Sequence, residues 1–302
     1  MARLQRIEHA RMGVTNLESA VDFYTGAMGL VELTREDDIV YLGCGRDNNY
    51  DIAVVEGGSG VEHFAVRASD ATVVDEYEEE LNDAGFDPIR TDGDEPGQET
   101  GVRFDLSSGF SMEIVTVADG AYQHFENPPH ARSGQAPADI DHIQFLTPTL
   151  NEDLGFLRDV LDFKISDTAG DRENPELAFA RSNTFHHDIA LKSAAMLGED
   201  GEASLHHLAW SFDSMDHLKQ FIDRVVGAGC EIERGIGRHH AGNNIYAYFW
   251  EPGGNRFELC TEMAVVMTDE PNHSDDYESA TTAWGPDPPA SFSKGSGLFN
   301  LK

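Results

Sequence analysis

The chain has 302 residues, of which 40% are hydrophobic and 9% aromatic, an ordinary composition for a globular protein that is long enough for two domains. Its formal net charge is −34, with 55 acidic residues against 21 lysines and arginines; nucleic acids bind clustered cations, so the charge argues against nucleic acid as a partner. The sequence has neither an apolar run of membrane-spanning length nor the apolar stretch of a secretory signal. We therefore expect a cytoplasmic protein with no membrane partner.

Cysteine and lysine usage describes the environment further. The three cysteines, Cys44, Cys230 and Cys260, are scattered and odd in number, which argues against a disulfide framework and fits a reducing compartment. Lysine is rare, and a surface so acidic and so poor in lysine predicts a protein from a salt-rich cytoplasm, where a Debye length of about 3 Å at 1 M salt screens the self-repulsion. The alternative is an acidic mesophilic enzyme.

The first elements of the chain recur in its second half. Residues 9–14 are predicted to form a strand and residues 16–30 an amphipathic helix that starts at Asn16 and ends at a glycine. The same layout begins again at His142, and His9 to Leu30 spans as many residues as His142 to Phe163. The two halves are therefore predicted to be duplicates.

A second repeat lies further along each half. Residues 61–66 match residues 205–210, with His63 opposite His207, and each segment leads through a predicted helix (71–84 or 215–228) to a glycine. Both halves then close on a strand that carries Glu113 or Glu258. Strand, helix and three short strands thus occur four times, over residues 7–56, 61–117, 139–192 and 204–263.

We predict an α+β protein with four βαβββ units paired into two domains. The N-terminal domain with its linker covers residues 1–130 and the C-terminal domain residues 131–302, joined by a segment near 118–137 that contains Asn127-Pro128-Pro129. The tail after about residue 264 is predicted to be an irregular flap over the second domain, with Trp284 as its apolar anchor.

Three strands of the second half carry a combination of metal-ligating side chains. An aromatic run leads into the turn Glu251-Pro252-Gly253-Gly254, which predicts a hairpin with Glu258 on its far arm. Two other predicted strands carry His142 and His207. Taken singly, a histidine on a strand is more often a hydrogen-bonded core residue, but two histidines and one glutamate form a facial triad that leaves one face of Fe(II) or Mn(II) open.

These features resemble a known family. The paired βαβββ units with this triad resemble the vicinal oxygen chelate superfamily. The segments Arg238-His239, Tyr248-Phe249-Trp250-Glu251-Pro252-Gly253-Gly254-Asn255-Arg256-Phe257-Glu258, His187-Asp188-Ile189-Ala190 and Leu205-His206-His207 resemble its two-domain extradiol ring-cleavage dioxygenases, of the catechol 2,3-dioxygenase type. The resemblance implies a catecholic substrate cleaved with both atoms of O2, and a homo-oligomer, either dimer or tetramer.

The resemblance also implies roles for six residues. His142, His207 and Glu258 are the expected ligands of Fe(II) or Mn(II), with His187, His239 and Tyr248 around the open face. A divalent ion lowers the pKa of a coordinated hydroxyl, so His239 and Tyr248 are candidates to accept or orient a catechol proton, and His187 is the candidate acid.

Each of these assignments competes with a neighbouring residue. Strand alternation sends His206 and His207 to opposite faces, and the register with His142 favours His207. His187 is preferred to His186, and His239 to His240. Tyr248 is preferred to Tyr246 because of the family spacing to Glu258.

The first half keeps a counterpart of the triad, namely His9, His63 and Glu113. The positions that match His187 and Tyr248 hold Tyr50 and Arg103 instead. Since an arginine beside the site repels a divalent cation, we expect the first half to be structural and without metal.

Other functions stay open on the sequence alone. A glyoxalase-like lyase or isomerase of the same superfamily uses the metal to polarise a carbonyl, and a non-catalytic small-molecule-binding protein needs no complete triad. A hydroquinone-cleaving dioxygenase is the nearest rival. The ring substituent is undetermined, and the candidates for binding an anionic one are Arg181, Arg234, Arg238 and Lys294.

The charge predicts a dependence on salt. On dialysis from molar salt into dilute buffer, the carboxylates lose their screening, and we expect the thermal midpoint to fall. Circular dichroism over a KCl series measures this. Unchanged stability and activity in dilute buffer would favour the mesophilic alternative.

Overall fold

The computed structural model describes residues 2–45, 48–118, 135–197 and 201–296. In these ranges the strands form one eight-stranded and one nine-stranded sheet, covered by short helices. The predicted α+β class is confirmed.

The eight-stranded sheet contains two copies of one unit. The first consists of β1 (Leu4–Val14), α1 (Leu17–Phe23), a π-helical turn (Tyr24–Met28), β2 (Val31–Glu36), β3 (Ile39–Gly43) and β4 (Ile52–Glu56). The second consists of β5 (Gly60–Ala68), α2 (Ala71–Asp83), β6 (Ile89–Arg90), β7 (Gln98–Asp105) and β8 (Ser111–Val117).

The nine-stranded sheet repeats this unit twice more. The third unit consists of β9 (Asp139–Thr147), α3 (Leu150–Asp159), β10 (Lys164–Gly170), β11 (Pro175–Arg181) and β12 (Ile189–Ser193). The fourth consists of β13 (Ser204–Ser211), α4 (Met215–Gly227), β14 (Ile232–Arg238), β15 (Ile245–Trp250) and β16 (Arg256–Thr261). The four βαβββ units predicted from the repeats are therefore confirmed.

Local sequence explains where the equivalent helices begin and end. Asp70 and Ser214 cap α2 and α4, each accepting a hydrogen bond from a backbone N–H of the first turn. Gly85 (φ 86°) and Gly229 (φ 98°) follow these helices in the left-handed region, which glycine enters without steric cost. None of the helices in the described ranges is long and apolar enough to cross a membrane.

The pairing of the units brings their key strands together. In each half the first strands of the two units pair antiparallel, β1 with β5 and β9 with β13. β16 then lies parallel to β13 on its other side. Alternation along β9 sends Ile143 and Phe145 into the core and leaves His142 and Gln144 on the opposite face. Strands β9, β13 and β16 therefore present their polar residues side by side.

The two sheets share one hydrophobic core. Phe145 of the second half packs against Phe64 and Phe110 of the first, with ring centroids 5.3 and 3.9 Å apart. The proposed domain boundary at residue 130 falls in the range 119–134, outside the described residues, and stays a prediction.

The Glu-Pro-Gly-Gly-Asn turn joins the two halves. Asn255 is fully buried, accepts a hydrogen bond from Gly60 N (2.7 Å) and donates one to Gly13 O (3.0 Å). Glu251 holds Asn255 in place by accepting from its backbone N–H at 2.7 Å. This turn therefore links the sheets, besides placing Glu258 on the next strand.

The tail differs from the predicted irregular flap. It contains β17 (Asn272–Ser274), which extends the sheet beside β10, the short helix α5 (Tyr277–Thr281) and a 3-10 turn (Ala290–Ser293). The predicted anchor is wrong, because the Trp284 side chain is 50% exposed and only its backbone pairs with Arg238. Phe292 is the aromatic residue that packs inward, with its ring 4.8 Å from that of Tyr248. The tail is therefore anchored by the aromatic residue that lies beside Tyr248 and not by the tail's largest side chain.

The hydrogen bonds from Asn255 to Gly13 and Gly60 give a prediction about stability. Asn255→Ala leaves a buried N–H of Gly60 and a buried carbonyl of Gly13 without partners, and we expect a loss of about 2–4 kcal/mol in the free energy of unfolding. Urea denaturation measures it. Asn272→Ala, at an exposed position of β17, is the matched control and should be near neutral. Equal stability of the two variants would show that the hydrogen bonds of Asn255 do not stabilise the contact between the two halves.

Candidate metal centre

Two imidazoles and a carboxylate converge where β9, β13 and β16 lie side by side. His142 Nε2 is 3.1 Å from both His207 Nε2 and Glu258 Oε2. His207 Nε2 is 2.9 Å from the same carboxylate oxygen. All three side chains are buried. Three potential ligand atoms therefore form a nearly equilateral triangle.

The size of this triangle fits one face of an octahedron. Adjacent ligands of an octahedral ion with bonds of about 2.1 Å lie about 3.0 Å apart, whereas a tetrahedral ion with the same bonds needs about 3.4 Å. Among the described residues, no fourth histidine, cysteine, aspartate or glutamate joins this group of three. The donor set of two nitrogens and one oxygen suits Fe(II) or Mn(II).

Asp141 fixes the tautomer of His142. The Asp141 carboxylate, which only accepts, is 2.7 Å from His142 Nδ1. Nδ1 therefore carries the proton, and the lone pair of Nε2 points at the triangle. Carboxylates in this position orient metal-binding histidines in many proteins.

His206 fixes the tautomer of His207 through a relay. His206 Nε2 donates to the carbonyl oxygen of Phe292 (2.9 Å), so Nδ1 of a neutral His206 can only accept. His207 Nδ1, 2.7 Å away, is then the donor, and its Nε2 keeps the lone pair. The predicted separation of the two histidines onto opposite faces is wrong, because a register shift between Leu205 and His207 interrupts the alternation and brings the rings together.

His187 borders the open side of the triangle. Its ring centroid is 4.2 Å from that of His142. Nδ1 is 2.9 Å from His186 Nδ1, and His186 Nε2 is 2.5 Å from the carboxylate of Asp167. With a neutral His186 the same relay logic leaves the lone pair of His187 on Nε2. Asp167 is partly exposed, so the chain Asp167–His186–His187 links solvent to the site.

Tyr248 and His239 form the other border. His239 Nδ1 donates to the carbonyl oxygen of Thr281 (2.5 Å), and Tyr248 donates its hydroxyl proton to His239 Nε2 (2.8 Å). Tyr248 lies directly opposite Glu258 in the β15–β16 pair. The competing residues lie elsewhere: His240 is exposed, and Tyr246 stacks on His239 with ring centroids 4.1 Å apart.

Burial and the central carboxylate set the protonation of the site. Burial lowers the pKa of His142, but the carboxylates of Glu258 and Asp141 outweigh this and raise it to about 9. For His207 burial dominates and lowers the pKa to about 4. Burial and the neighbouring histidines hold the pKa of His187 well below its usual value. Without a metal ion, His142 thus carries a proton at neutral pH that metal binding has to displace.

The triangle opens onto a cavity of about 260 Å³. Its apolar wall belongs to a small cluster separate from the main core, which includes Leu177, Phe179, Ala241 and Ala280. His187, His239 and Tyr248 border the same cavity. Five of the six predicted site residues thus line this cavity, and the sixth, His207, contacts His142 and Glu258 at its edge. The size of the cavity suits a compound of a single ring.

The first half holds a related cluster with a different charge balance. His63 Nε2 is 3.5 Å from Glu113 Oε2, and Arg103 Nη2 donates to that same oxygen at 2.9 Å. Arg103 lies opposite Glu113 in the β7–β8 pair, as Tyr248 lies opposite Glu258. The guanidinium of Arg103 thus balances the charge of Glu113. At the matching position opposite Glu258, Tyr248 offers only a neutral phenol.

A fourth member of this cluster escaped the sequence analysis. Glu95 is buried, lies 3.1 Å from His9 Nε2 and accepts a hydrogen bond from Tyr50 at 2.6 Å. Although burial raises its pKa, hydrogen bonds with His63 and His9 lower it far below its usual value. Glu95 precedes Glu113 at nearly the spacing that separates His239 from Glu258, which is the signal that points to it. The supporting roles of Asp141 and His206 were also missed, because alternation along a regular strand places adjacent side chains on opposite faces. The role of Asp167 was missed as well, because it contacts His186 from β10, a separate element of the chain.

Comparisons with known proteins agree with this geometry. Residues 139–259 match the family model "Glyoxalase/Bleomycin resistance protein/Dioxygenase superfamily". The matched segment, residues 139–259, therefore resembles a domain of this superfamily. The match covers the third and fourth βαβββ units, which contain the whole triangle of His142, His207 and Glu258.

Several proteins similar to this chain are named dioxygenases. The chain is 27% identical to the manganese-dependent 2,3-dihydroxybiphenyl 1,2-dioxygenase of Geobacillus genomosp. 3, over 85% of each chain. It is 25% identical in sequence to the 2,3-dioxygenase LapB from Pseudomonas sp. KL28. The superposition on the crystal structure of that protein covers 91% of this chain and 99% of the other, with a TM-score of 0.81. A Mn(II)-bound glyoxalase from Novosphingobium aromaticivorans is 26% identical, covering 96% and 94%, with a TM-score of 0.82.

The two clusters give a prediction about metal content. We expect about one Fe(II) or Mn(II) per chain, bound in the second half. In the first half the guanidinium of Arg103 already balances the charge of Glu113 and would repel a divalent cation. His207→Ala should reduce the content to near zero, and the matched variant His63→Ala should leave it near one. Elemental analysis after metal loading and desalting measures both. Two ions per wild-type chain, or loss in the His63 variant alone, would contradict the assignment.

Proposed function

We propose that this protein is an extradiol dioxygenase, which cleaves the ring of a catechol beside its diol and incorporates both atoms of O2 to give a ring-opened semialdehyde-type product. The observation that carries the proposal is a three-ligand group, His142, His207 and Glu258, that opens onto an apolar cavity bordered by His187 and by the Tyr248–His239 pair. The named dioxygenases among its relatives support the same reaction.

The cofactor is Fe(II) or Mn(II), held by His142, His207 and Glu258. When bound, it supplies a Lewis acid that lowers the pKa of catechol hydroxyls, and it mediates electron transfer from the ring to O2. The two histidines offer the Nε2 lone pairs that Asp141 and His206 select.

His187 is the proposed proton carrier. The substrate gains two oxygen atoms and loses none of its own atoms, so each hydroxyl proton removed has to be returned to the product. With its depressed pKa, His187 is neutral at the start and can take such a proton at Nε2. It returns the proton to an oxygen of the opening ring, and the link through His186 to Asp167 allows exchange with solvent.

Tyr248 and His239 are proposed to orient the substrate. Burial and the nearby Glu258 raise the pKa of Tyr248 well above 10, so it stays a phenol. Its hydrogen bond to His239 fixes the hydroxyl at the edge of the cavity, where the oxygen can accept a hydrogen bond from the substrate. Phe179, whose ring centroid is 4.8 Å from that of His187, offers a flat apolar contact for the aromatic ring.

A glyoxalase-type lyase or isomerase is the second candidate, favoured by the resemblance to the Novosphingobium protein. For that chemistry we expect a carboxylate base and, usually, four protein ligands to the metal. Among the described residues that border the cavity, Glu258 is the only carboxylate, and it belongs to the triangle. The site therefore favours the dioxygenase.

We further propose a cytoplasmic homo-oligomer, a dimer or tetramer. Cys44, Cys230 and Cys260 are thiols that take part in no disulfide among the described residues, which agrees with a reducing compartment. Light scattering measures the oligomeric state.

The reaction is tested by loading the protein anaerobically with Fe(II) or Mn(II), adding a catechol and then admitting air. We expect a yellow product and one O2 consumed per ring cleaved, because ring opening conjugates the semialdehyde. An oxygen electrode with a panel of plain, alkyl, aryl and carboxylated catechols measures it. Absence of O2 uptake with every catechol would refute the proposal, and isomerisation of a thiol adduct of a 2-oxoaldehyde would support the glyoxalase.

Within that assay, His187→Asn should lower kcat by about 10²–10⁴-fold, the usual contribution of a general acid–base. Metal content and anaerobic catechol binding should be unchanged, since His187 is not one of the proposed ligands. His240→Asn, at the exposed histidine, is the control. A His187 variant with wild-type kcat would remove it from the reaction.

A further inference from the structure

One lysine lies inside the cavity of the candidate metal centre. Lys192 is on β12, is only 7% exposed and borders the cavity. Its strand neighbours are Leu177 on β11 and Leu146 on β9. A buried position among aliphatic residues is costly for an ammonium group unless something compensates the charge.

No such compensation comes from the described residues. Among residues 2–45, 48–118, 135–197 and 201–296, no carboxylate and no hydrogen-bond acceptor pairs with Lys192 Nζ. Its only specific contact there is with the ring face of Tyr277, 5.3 Å from the centroid. An aromatic face stabilises a cation weakly compared with an anion.

The second cation that borders the cavity, Arg234, already has hydrogen-bond partners in the tail. Arg234 donates to Thr282 Oγ1 (2.8 Å) and to the carbonyl oxygen of Pro286 (3.2 Å). Its guanidinium also stacks on the ring of Phe292. Arg234 therefore helps hold the tail, while Lys192 is the cation with unused hydrogen-bonding capacity.

The charge of the cavity contrasts with that of the protein. The chain carries 55 acidic residues and a net charge of −34. Even so, the described residues that border this cavity include a single carboxylate, that of Glu258, beside the two cations. A neighbouring cavity has five carboxylates in its lining, from Asp139, Asp141, Asp188, Asp213 and Glu262. Apart from Glu258 at the metal-ligating triangle, the described lining of this cavity therefore has no carboxylate that would repel an anionic ligand.

Lys192 lies at a suitable distance from the metal-ligating triangle. It pairs with Leu146, four residues along β9 from His142, which at about 3.3 Å per residue corresponds to about 13 Å between backbones. The stem of the lysine and one aromatic ring with a short substituent together cover that distance. The apolar wall of Leu177 and Phe179 lies between the two ends.

We propose that Lys192 binds a carboxylate on the substituent of the substrate ring, so that the preferred substrates are carboxylated catechols. This inference rests on the proposed function, since it takes the diol to lie at the triangle. The diol binds at one end of the cavity, the ring packs against Phe179, and the carboxylate pairs with Lys192 at the other end. A neutral catechol binds without that ion pair.

Matched pairs of substrates test the inference. 3,4-Dihydroxybenzoate and 4-methylcatechol differ mainly in the charge of the substituent, as do 2,3-dihydroxybenzoate and 3-methylcatechol. In the wild type we expect the better-fitting acid to have the lower KM of its pair. Lys192→Met should raise KM for that acid by about 10- to 100-fold, as expected for one buried charge-assisted hydrogen bond, and change the methyl compound by less than about threefold.

Two further variants separate charge from packing. Lys192→Arg keeps the charge and should recover a large part of the affinity for the acid. Lys219→Met, at an exposed position of α4, is the control and should behave as wild type. If Lys192→Met alters the acid and the methyl compound equally, or if the wild type does not prefer either acid, the inference is wrong.

Failure of the inference can be told apart from failure of the proposed function. Cleavage of the methylcatechols with no effect of Lys192→Met on the acids would keep the dioxygenase and remove the carboxylate site. Anaerobic calorimetry with the metal-loaded protein reports binding without turnover: loss of acid binding in Lys192→Met supports the site even if no ring is cleaved. Absence of binding for all four compounds would overturn both.

Discussion

A buried carboxylate in the middle of a sheet is the constraint that shapes both halves of this protein. Glu258 and Glu113 occupy equivalent strands and are both fully enclosed, so each requires positive charge or several donors nearby. The first half meets the requirement with Arg103, Thr91 and Gln98, which all donate to Glu113. The second half has Tyr248 instead of an arginine at the matching position, and its carboxylate faces His142 and His207. The charge of Arg103 is fixed, whereas the proton that His142 carries beside Glu258 can be displaced by a metal ion.

Orientation of the histidines depends on groups outside the triangle. Asp141, His206 and His186 each determine which nitrogen of a neighbouring ring keeps its lone pair. In the pairs His206-His207 and His186-His187, the first histidine orients the second. Two adjacent histidines that compete for one role in the sequence therefore act together in the structure.

Much of the fold could be predicted because duplication repeats its signals. Helix caps such as Asp70 and Ser214, and the glycines that follow the helices, recur at fixed offsets. The matching positions of His142, His207 and Glu258 in the repeated units place these residues on neighbouring strands. The roles of these residues remain predictions, although their convergence is a feature of the fold.

Other parts could not be read from local patterns. The contact between His206 and His207 depends on an irregular register in β13, which a simple period of two does not encode. Glu95 and Lys192 lie in segments without a catalytic motif, and their significance comes from what surrounds them in three dimensions. Trp284 shows the converse, since a large apolar side chain in a polar tail suggests burial, while in the structure it is Phe292 that packs against Tyr248 at the cavity.

The carbonyl oxygens of Thr281 and Phe292, which orient His239 and His206, lie downstream of all four repeated units. During synthesis the ribosome releases the whole duplicated framework before either carbonyl emerges. A nascent chain can therefore pair the strands of all four units while His206 and His239 still lack their carbonyl acceptors, and these two imidazoles become oriented only when the downstream segment docks.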